Sequence, residues 1–171
     1  ISSAASDVYK RQTEYLQLRS YIQQNDLSND ENYNHVINQI DINNFMEYNI
    51  AQIYMDNRDY PGNNVKYWKV PGGKWRWVLY DTDFGFAGQW WSDWDQNYAY
   101  FFDTLDFVLS GNQTTWANPT WATLFMRKLV QNIGFRNKFI NRYADEMNTR
   151  YLPTNVTSHF IDIYENMYCL L

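Results

Sequence analysis

Residues 56–83, DNRDYPGNNVKYWKVPGGKWRWVLYDTD, decide the fold, because the pattern of the chain changes there. The polar run over residues 56–64 combines Asp, Asn, Pro and Gly, which is typical of a turn. Two strands are predicted after it, over residues 65–70 and 74–83, joined by Pro71-Gly72-Gly73. The sequence therefore predicts an antiparallel β-hairpin in the middle of the chain.

Helical patterns lie on both sides of this hairpin. Upstream, apolar residues at helical spacing predict helices over residues 13–24 and 42–55, and Ser28 with Glu31 forms a capping-box pattern that opens a helix running through Ile40. Downstream, residues 84–98 are predicted as a long loop, followed by helices over residues 100–109, 121–132, 135–151 and 155–168. Gly134 is expected where a helix stops. This order of elements predicts the α+β class.

Charge and composition exclude several functional classes. The 171 residues carry a net charge of −5, which argues against a nucleic-acid partner, because phosphate binding needs clustered Lys and Arg. The apolar runs are too short to cross a bilayer, so no membrane span is predicted. One cysteine and two distant histidines favour neither a disulfide framework nor a zinc site.

Acidic and amide side chains cluster at the open end of the predicted hairpin. Asp59 and Asn64 precede the first strand, and Asp81 and Asp83 end the second. Because antiparallel strands lie about 5 Å apart, Asn64 and Asp81 are expected side by side. Kinases use a loop Asp, an Asn five residues later and an Asp after the next hairpin to orient the acceptor hydroxyl and hold Mg²⁺ on the nucleotide phosphates.

Simpler interpretations stand beside this one. Asp59 and Asn64 taken singly could be turn formers, and Asp81 could cap the next segment. A glycoside hydrolase would use Asp59 and Asp81 as paired carboxylates beside an aromatic groove, but it gives Asn64 no role. An inactive kinase-like scaffold or adhesion module is the remaining alternative. Five tryptophans raise the question of a sugar platform: core packing is predicted for Trp75 and Trp77, and the question is left open for Trp90, Trp91 and Trp94.

The same residues resemble the CotH (spore-coat-protein-H-like) kinase family. The resemblance rests on residues 40–45, 57–64 and 75–85, which read IDINNF, NRDYPGNN and WRWVLYDTDFG, and on the C-terminal stretches 124–125, 129–132 and 135–143. It covers roughly Tyr15 to Tyr168 and implies an atypical protein-kinase-like fold. This chain would hold mainly the helical C-lobe, with a β-hairpin that carries the metal site.

The resemblance also implies an activity and its residues. It implies transfer of the ATP γ-phosphate, with Mg²⁺ or Mn²⁺, to Ser or Thr hydroxyls of a protein substrate. Asp59 would be catalytic, Asn64 and Asp81 would bind the cofactor, and Asn64, Asp81 and Asp83 would hold the metal, with Asp81 preferred as first ligand. Many family members are secreted, so an extracellular or cell-surface location is expected.

The two ends of the chain look foreign. Residues 1–12, ISSAASDVYKRQ, resemble translated sequencing-adapter DNA at the edge of a metagenomic read, and Cys169-Leu170-Leu171 resemble the opposite adapter. Residues 13–168 are therefore expected to be the C-terminal part of a CotH kinase-like domain. The N-lobe and its phosphate-clamping lysine are expected upstream, so this fragment alone is expected to be inactive.

Overall fold

A computed structural model describes residues 3–57, 59–86, 102–110 and 117–168. The chain divides into two compact units, the first ending at Phe135 and the second beginning at Arg136. Within the described residues, helices and one small antiparallel sheet make up an α+β protein, as predicted. The elements in chain order are α1 (Ser3–Gln24), α2 (Asp30–Ile37), α3 (Ile42–Tyr54), β1 (Lys66–Trp68), β2 (Arg76–Val78), α4 (Thr104–Leu109), α5 (Leu124–Leu129), α6 (Ile133–Met147) and α7 (Pro153–Tyr168).

The three predicted upstream helices are present, but α1 begins at Ser3 instead of residue 13, and α2 ends at Ile37 instead of Ile40. The predicted N-cap of α2 also needs a correction. Asn29, not Ser28, is the N-cap of α2, and its Oδ1 accepts the backbone N–H groups of Glu31 at 2.8 Å and Asn32 at 3.2 Å. The Asp26 carboxylate holds both the backbone N–H and the hydroxyl of Ser28 in a turn. The cap consequently falls one residue later.

The hairpin is confirmed, but its strands are shorter than predicted. β1 and β2 pair antiparallel with Tyr67 opposite Trp77 at the centre of the ladder. Beyond the ladder, Asn64 and Asp81 both adopt a left-handed backbone with φ of 52°. Extended strand geometry is incompatible with that backbone, so the predicted continuation of the second strand to residue 83 was wrong.

Most downstream helices differ from their predicted bounds. Gly134 does not stop a helix but lies in the first turn of α6, because Asn132 Oδ1 accepts the backbone N–H of Phe135 at 3.1 Å and caps the start. α7 begins at Pro153, a residue suited to the first turn because it has no N–H to satisfy. The predicted loop over residues 84–98 is described only to Phe86, and Trp90, Trp91 and Trp94 lie outside the described residues.

An aromatic cluster packs the hairpin against α3 and α5. Trp75 and Trp77 are 4% and 7% exposed, which confirms the core interpretation for both. The Trp77 ring lies 4.7 Å from Phe45 and 5.8 Å from Phe125 between centroids, in edge-to-face geometry. Tyr67 stacks on Tyr15 of α1 at 4.0 Å. Rings from one strand pair thus join three helices into one core.

The start of α3 also fastens the hairpin through hydrogen bonds. Asn44 Oδ1 accepts the backbone N–H of Trp77 at 2.6 Å, and its Nδ2 donates to the Trp77 carbonyl at 3.2 Å. Trp75 exchanges backbone hydrogen bonds with Gln39 and Asp41 just before the helix. The strand that leads to Asp81 is therefore held by the first turn of α3 and by the residues just before it.

In the second unit, Glu146 lies buried between two arginines on α6 and just after it. Its carboxylate is 2.9 Å from Arg142 and 3.5 Å from Arg150. Both partners are one helical turn away, the spacing at which side chains on one helix face meet. None of the helices in the described ranges is long and apolar enough to cross a membrane.

Candidate active site

A chain of buried amides fixes the backbone of Asp59. The backbone N–H of Asp59 donates to Asn57 Oδ1 at 3.1 Å, and Asn57 Nδ2 donates to Gln52 Oε1 at 2.8 Å. All three residues are almost fully buried. A buried amide without a hydrogen-bond partner costs free energy. The hydrogen bonds from Asp59 through Asn57 to Gln52 therefore hold the loop on the last turn of α3. Neither Gln52 nor Asn57 was predicted as a site residue, although Asn57 begins the stretch 57–64 on which the family resemblance rests.

The carboxylate of Asp59 receives two amide side chains. Its Oδ2 accepts Asn64 Nδ2 at 2.9 Å and Asn63 Nδ2 at 3.2 Å. The backbone N–H of Asn63 also donates to the Asp59 carbonyl at 2.9 Å. The five-residue spacing noted in the sequence thus places Asp59 and Asn64 in direct contact.

A close backbone approach holds the next part of the loop. The backbone N–H of Gly62 donates to the Ala117 carbonyl at 2.6 Å. A Cβ on Gly62 would lie 2.5 Å from Pro119 Cδ and 2.6 Å from that carbonyl oxygen. Only glycine fits this contact. The adjacent Tyr60 ring is buried, and its hydroxyl donates to Asn49 of α3.

The carboxylates of Asp59, Asp81 and Asp83 lie within electrostatic reach of one another. A hydrogen bond from Asp83, then partial desolvation and the Asp83 charge, raise the pKa of Asp81, while Lys66 opposes the shift. Burial raises the pKa of Asp59, Asn63 opposes the shift, and the charges of Asp83 and Asp81 add to it. The segments before and after the hairpin therefore place three acids close enough for their charges to interact.

The segment after Asp83 folds back onto the end of α3. The backbone N–H of Phe86 donates to the Met55 carbonyl at 2.5 Å, and the Phe86 ring meets Tyr54 edge-to-face at 5.7 Å. The same end of α3 leads into the Asp59 loop. One helix end therefore positions both the loop acid and the Asp-Phe-Gly segment.

These contacts bring together some predicted site residues and leave other assignments untested. Asp59 contacts Asn64, and Asp81 contacts Asp83. Within the described ranges, no three His, Cys, Asp or Glu side chains form a compact metal-binding group. A metal would need amide or phosphate oxygens besides the Asp81–Asp83 pair. Sharing of one ion by Asn64 and Asp81, and the preference for Asp81 over Asp83, stay predictions.

A large cavity adjoins the Asp59 loop in the first unit. Its volume is about 740 Å³, and it is lined by the loop from Tyr60 to Val65, the inner face of the hairpin, α1, α3 and residues 121–126. Eleven of its 24 lining residues are aromatic. Asp59, Asp81 and Asp83 do not line it. The sequence predicted an aromatic hairpin face but not this cavity, because residues distant in sequence, on α1, α3 and residues 121–126, complete its wall.

The raised pKa of Asp81 has a consequence for stability. Between its unfolded value of 3.8 and its raised folded value, the folded chain binds more protons than the unfolded chain, so stability falls as pH rises through this window. Asp81→Asn removes the repulsion and tolerates the left-handed backbone. We expect a higher unfolding temperature than that of the unsubstituted chain at pH 7 without metal, and no difference below pH 3.8.

The measurement is thermal unfolding followed by circular dichroism across this pH range. Asp162→Asn, an exposed carboxylate of α7, is the matched control and should leave the unfolding temperature unchanged at every pH. A lower unfolding temperature for Asp81→Asn at pH 7 would show that Asp81 is a stabilising cap.

The sequence model of the CotH kinase protein family matches residues 3–168. Neither a curated protein nor a solved structure matches the chain. The matched region begins upstream of residue 13, and the boundary predicted there stays a prediction. The match extends over the Asp59 loop, the hairpin and every described helix. The chain therefore belongs to the CotH kinase protein family.

Proposed function

We propose that the chain is the C-terminal part of an atypical protein-kinase domain that transfers the ATP γ-phosphate to Ser or Thr hydroxyls of a protein. The contact between Asp59 and Asn64, with the Asp81 and Asp83 charges near Asp59 at the open end of the hairpin, carries the proposal. Family membership supports it. A protein-kinase-like C-lobe, an N-lobe upstream and an extracellular or cell-surface location are parts of the same proposal.

Asp59 is the proposed base for the acceptor hydroxyl. Its carboxylate takes the hydroxyl proton while the hydroxyl oxygen bonds to the γ-phosphorus, and the bond to the bridging oxygen breaks to release ADP. The raised pKa of Asp59, caused mainly by burial, makes it a stronger base than an exposed Asp. Asn63 and Asn64 fix the carboxylate, and the Gln52–Asn57 chain fixes its backbone.

Asp81 and Asp83, with Asn64, are the proposed holders of Mg²⁺ or Mn²⁺. Their oxygens suit a hard cation that is bound through one or two carboxylates and substrate phosphates. The Asp83 charge raises the pKa of both Asp59 and Asp81, which fits this role because a cation would relieve the repulsion. When bound, the metal would neutralise charge on the nucleotide phosphates. The left-handed backbone at Asn64 and Asp81 turns the chain at both positions.

Joint binding of nucleotide and metal tests the proposal. We expect calorimetric titration of the chain with ATP to give binding that requires Mg²⁺, and Asp81→Asn to weaken it about ten-fold or more, since one carboxylate ligand is lost. Asp162→Asn should bind like the unsubstituted chain.

Phosphate transfer itself is measured on the longer gene product that the sequence predicts, because an upstream lobe would supply the phosphate-clamping lysine. ATP binding without any effect of Mg²⁺ or of Asp81 would contradict the kinase proposal. Partner binding that survives loss of both Asp59 and Asp81 would instead support the scaffold alternative.

A further inference from the structure

The cavity beside the Asp59 loop is lined by aromatic and cationic side chains, whereas the proposed phosphate site is built mainly from carboxylates. Of the described residues that line it, none is Asp or Glu, although the chain as a whole carries a net charge of −5. Two cations line it, Arg19 of α1 and Lys69. Aromatic walls with a few polar groups are typical of ligand sites, and about 740 Å³ is within the range that accommodates a small ligand or several side chains.

The two cations of the cavity differ in their partners. Lys69 Nζ lies 2.7 Å from the Glu14 carboxylate, so its charge is already balanced. Arg19 forms no ion pair with a described residue. It lies close to the aromatic cluster, where burial raises the pKa of Tyr15 and Arg19 opposes the shift. An anionic group in the cavity would therefore meet Arg19 beside aromatic rings.

The cavity lies next to the loop that carries Asp59, the proposed base for the acceptor hydroxyl. Its wall includes Tyr60 to Val65, the residues that follow Asp59, and Asn64 is among them, whereas the carboxylates of Asp59, Asp81 and Asp83 are absent from its lining. A peptide whose hydroxyl reaches Asp59 can therefore place its neighbouring side chains in this cavity without displacing groups from the carboxylate pair. Trp121, half exposed among the lining residues, gives such a peptide an accessible ring.

We propose that this cavity binds the acceptor segment of the substrate protein, and that it selects Ser or Thr flanked by an aromatic side chain and a carboxylate. The aromatic side chain packs among the rings and the carboxylate pairs with Arg19. This inference rests on the proposed kinase function, because it requires the acceptor hydroxyl of the substrate to lie at Asp59. Its test is direct binding, which does not require phosphate transfer.

The experiment measures fluorescence anisotropy of a short labelled peptide containing Phe, Ser and Asp in succession, titrated with the full chain. We expect Arg19→Glu to weaken binding about ten-fold, because an attraction becomes a repulsion at a partly buried site. Trp121→Ala should also weaken binding. Arg136→Glu makes the same charge change on the exposed Arg136, outside the cavity lining, and should leave binding unchanged.

Peptide changes complete the design. Replacing the peptide Asp by Lys, or Phe by Ala, should each weaken binding to the unsubstituted chain. The Lys-containing peptide should bind Arg19→Glu more tightly than the Asp-containing peptide does, because the two charges are then exchanged. Equal losses in Arg19→Glu and Arg136→Glu, or no binding at all, would overturn the inference. Displacement of the peptide by ATP without metal would also overturn it, since the cavity would then be a nucleotide subsite. Peptide binding through Arg19 supports the inference even if the chain fails to bind ATP with Mg²⁺.

Discussion

If the proposed longer gene product transfers phosphate, Asp59→Asn is expected to lower that transfer by about 10²- to 10⁴-fold, the usual contribution of a positioned base. The substituted amide keeps the shape of the side chain, and its oxygen can still accept the amide N–H groups of Asn63 and Asn64. It cannot take the proton of the acceptor hydroxyl. The loss should therefore appear in transfer of radiolabelled phosphate, with the folded state retained.

Binding of ATP with Mg²⁺ distinguishes this loss from a general defect. Asp59→Asn should bind ATP and Mg²⁺ as tightly as the unsubstituted chain does. Asp81→Asn should bind them about ten-fold or more weakly. Asp162→Asn provides the matched carboxylate-to-amide control for transfer. Full transfer by Asp59→Asn would remove Asp59 from the mechanism and leave its hydrogen bonds with a purely structural role.

Trp77→Ala is expected to destabilise the chain by about 3–5 kcal/mol, the usual cost of deleting a buried aromatic ring. Trp77 is 7% exposed and touches Phe45 and Phe125, while its backbone is clamped by Asn44. The substitution leaves a cavity between the hairpin, α3 and α5. Urea unfolding followed by far-UV circular dichroism measures the free energy of unfolding.

Trp68→Ala is the matched control in the same hairpin. Trp68 is 46% exposed, and Arg76 lies over its ring at 6.0 Å. Loss of this surface contact should cost about 0.5–1 kcal/mol. Similar losses of unfolding free energy in the two variants would mean that the buried Trp77 ring stabilises the fold no more than the exposed Trp68 ring does.

Much of the fold followed from local patterns in the sequence. The helix from Ile42 to Tyr54 shows the helical spacing of apolar residues, and the hairpin shows the turn residues Pro71-Gly72-Gly73 between two strand patterns. Both signals lie within a short stretch of sequence. The nearness of Asp59 and Asn64 was also predictable, because both lie on one short loop. Local signals failed where two neighbouring residues compete for one role, as at the α2 cap, where Asp26 holds Ser28 and Asn29 becomes the cap.

The sequence by itself determined the α+β class, the hairpin and the identity of the acids at its open end. Only the tertiary structure decided how these acids are held, through the buried Gln52–Asn57 chain, the Asn44 clamp on Trp77 and the approach of Gly62 to Ala117. Only the tertiary structure placed Arg19 in an aromatic cavity beside Asn64. The Asn44–Trp77 pair is separated by 33 residues, and the Gly62–Ala117 pair is also distant in sequence. No period or motif within a short window records such contacts, because they form only when packing brings distant segments together.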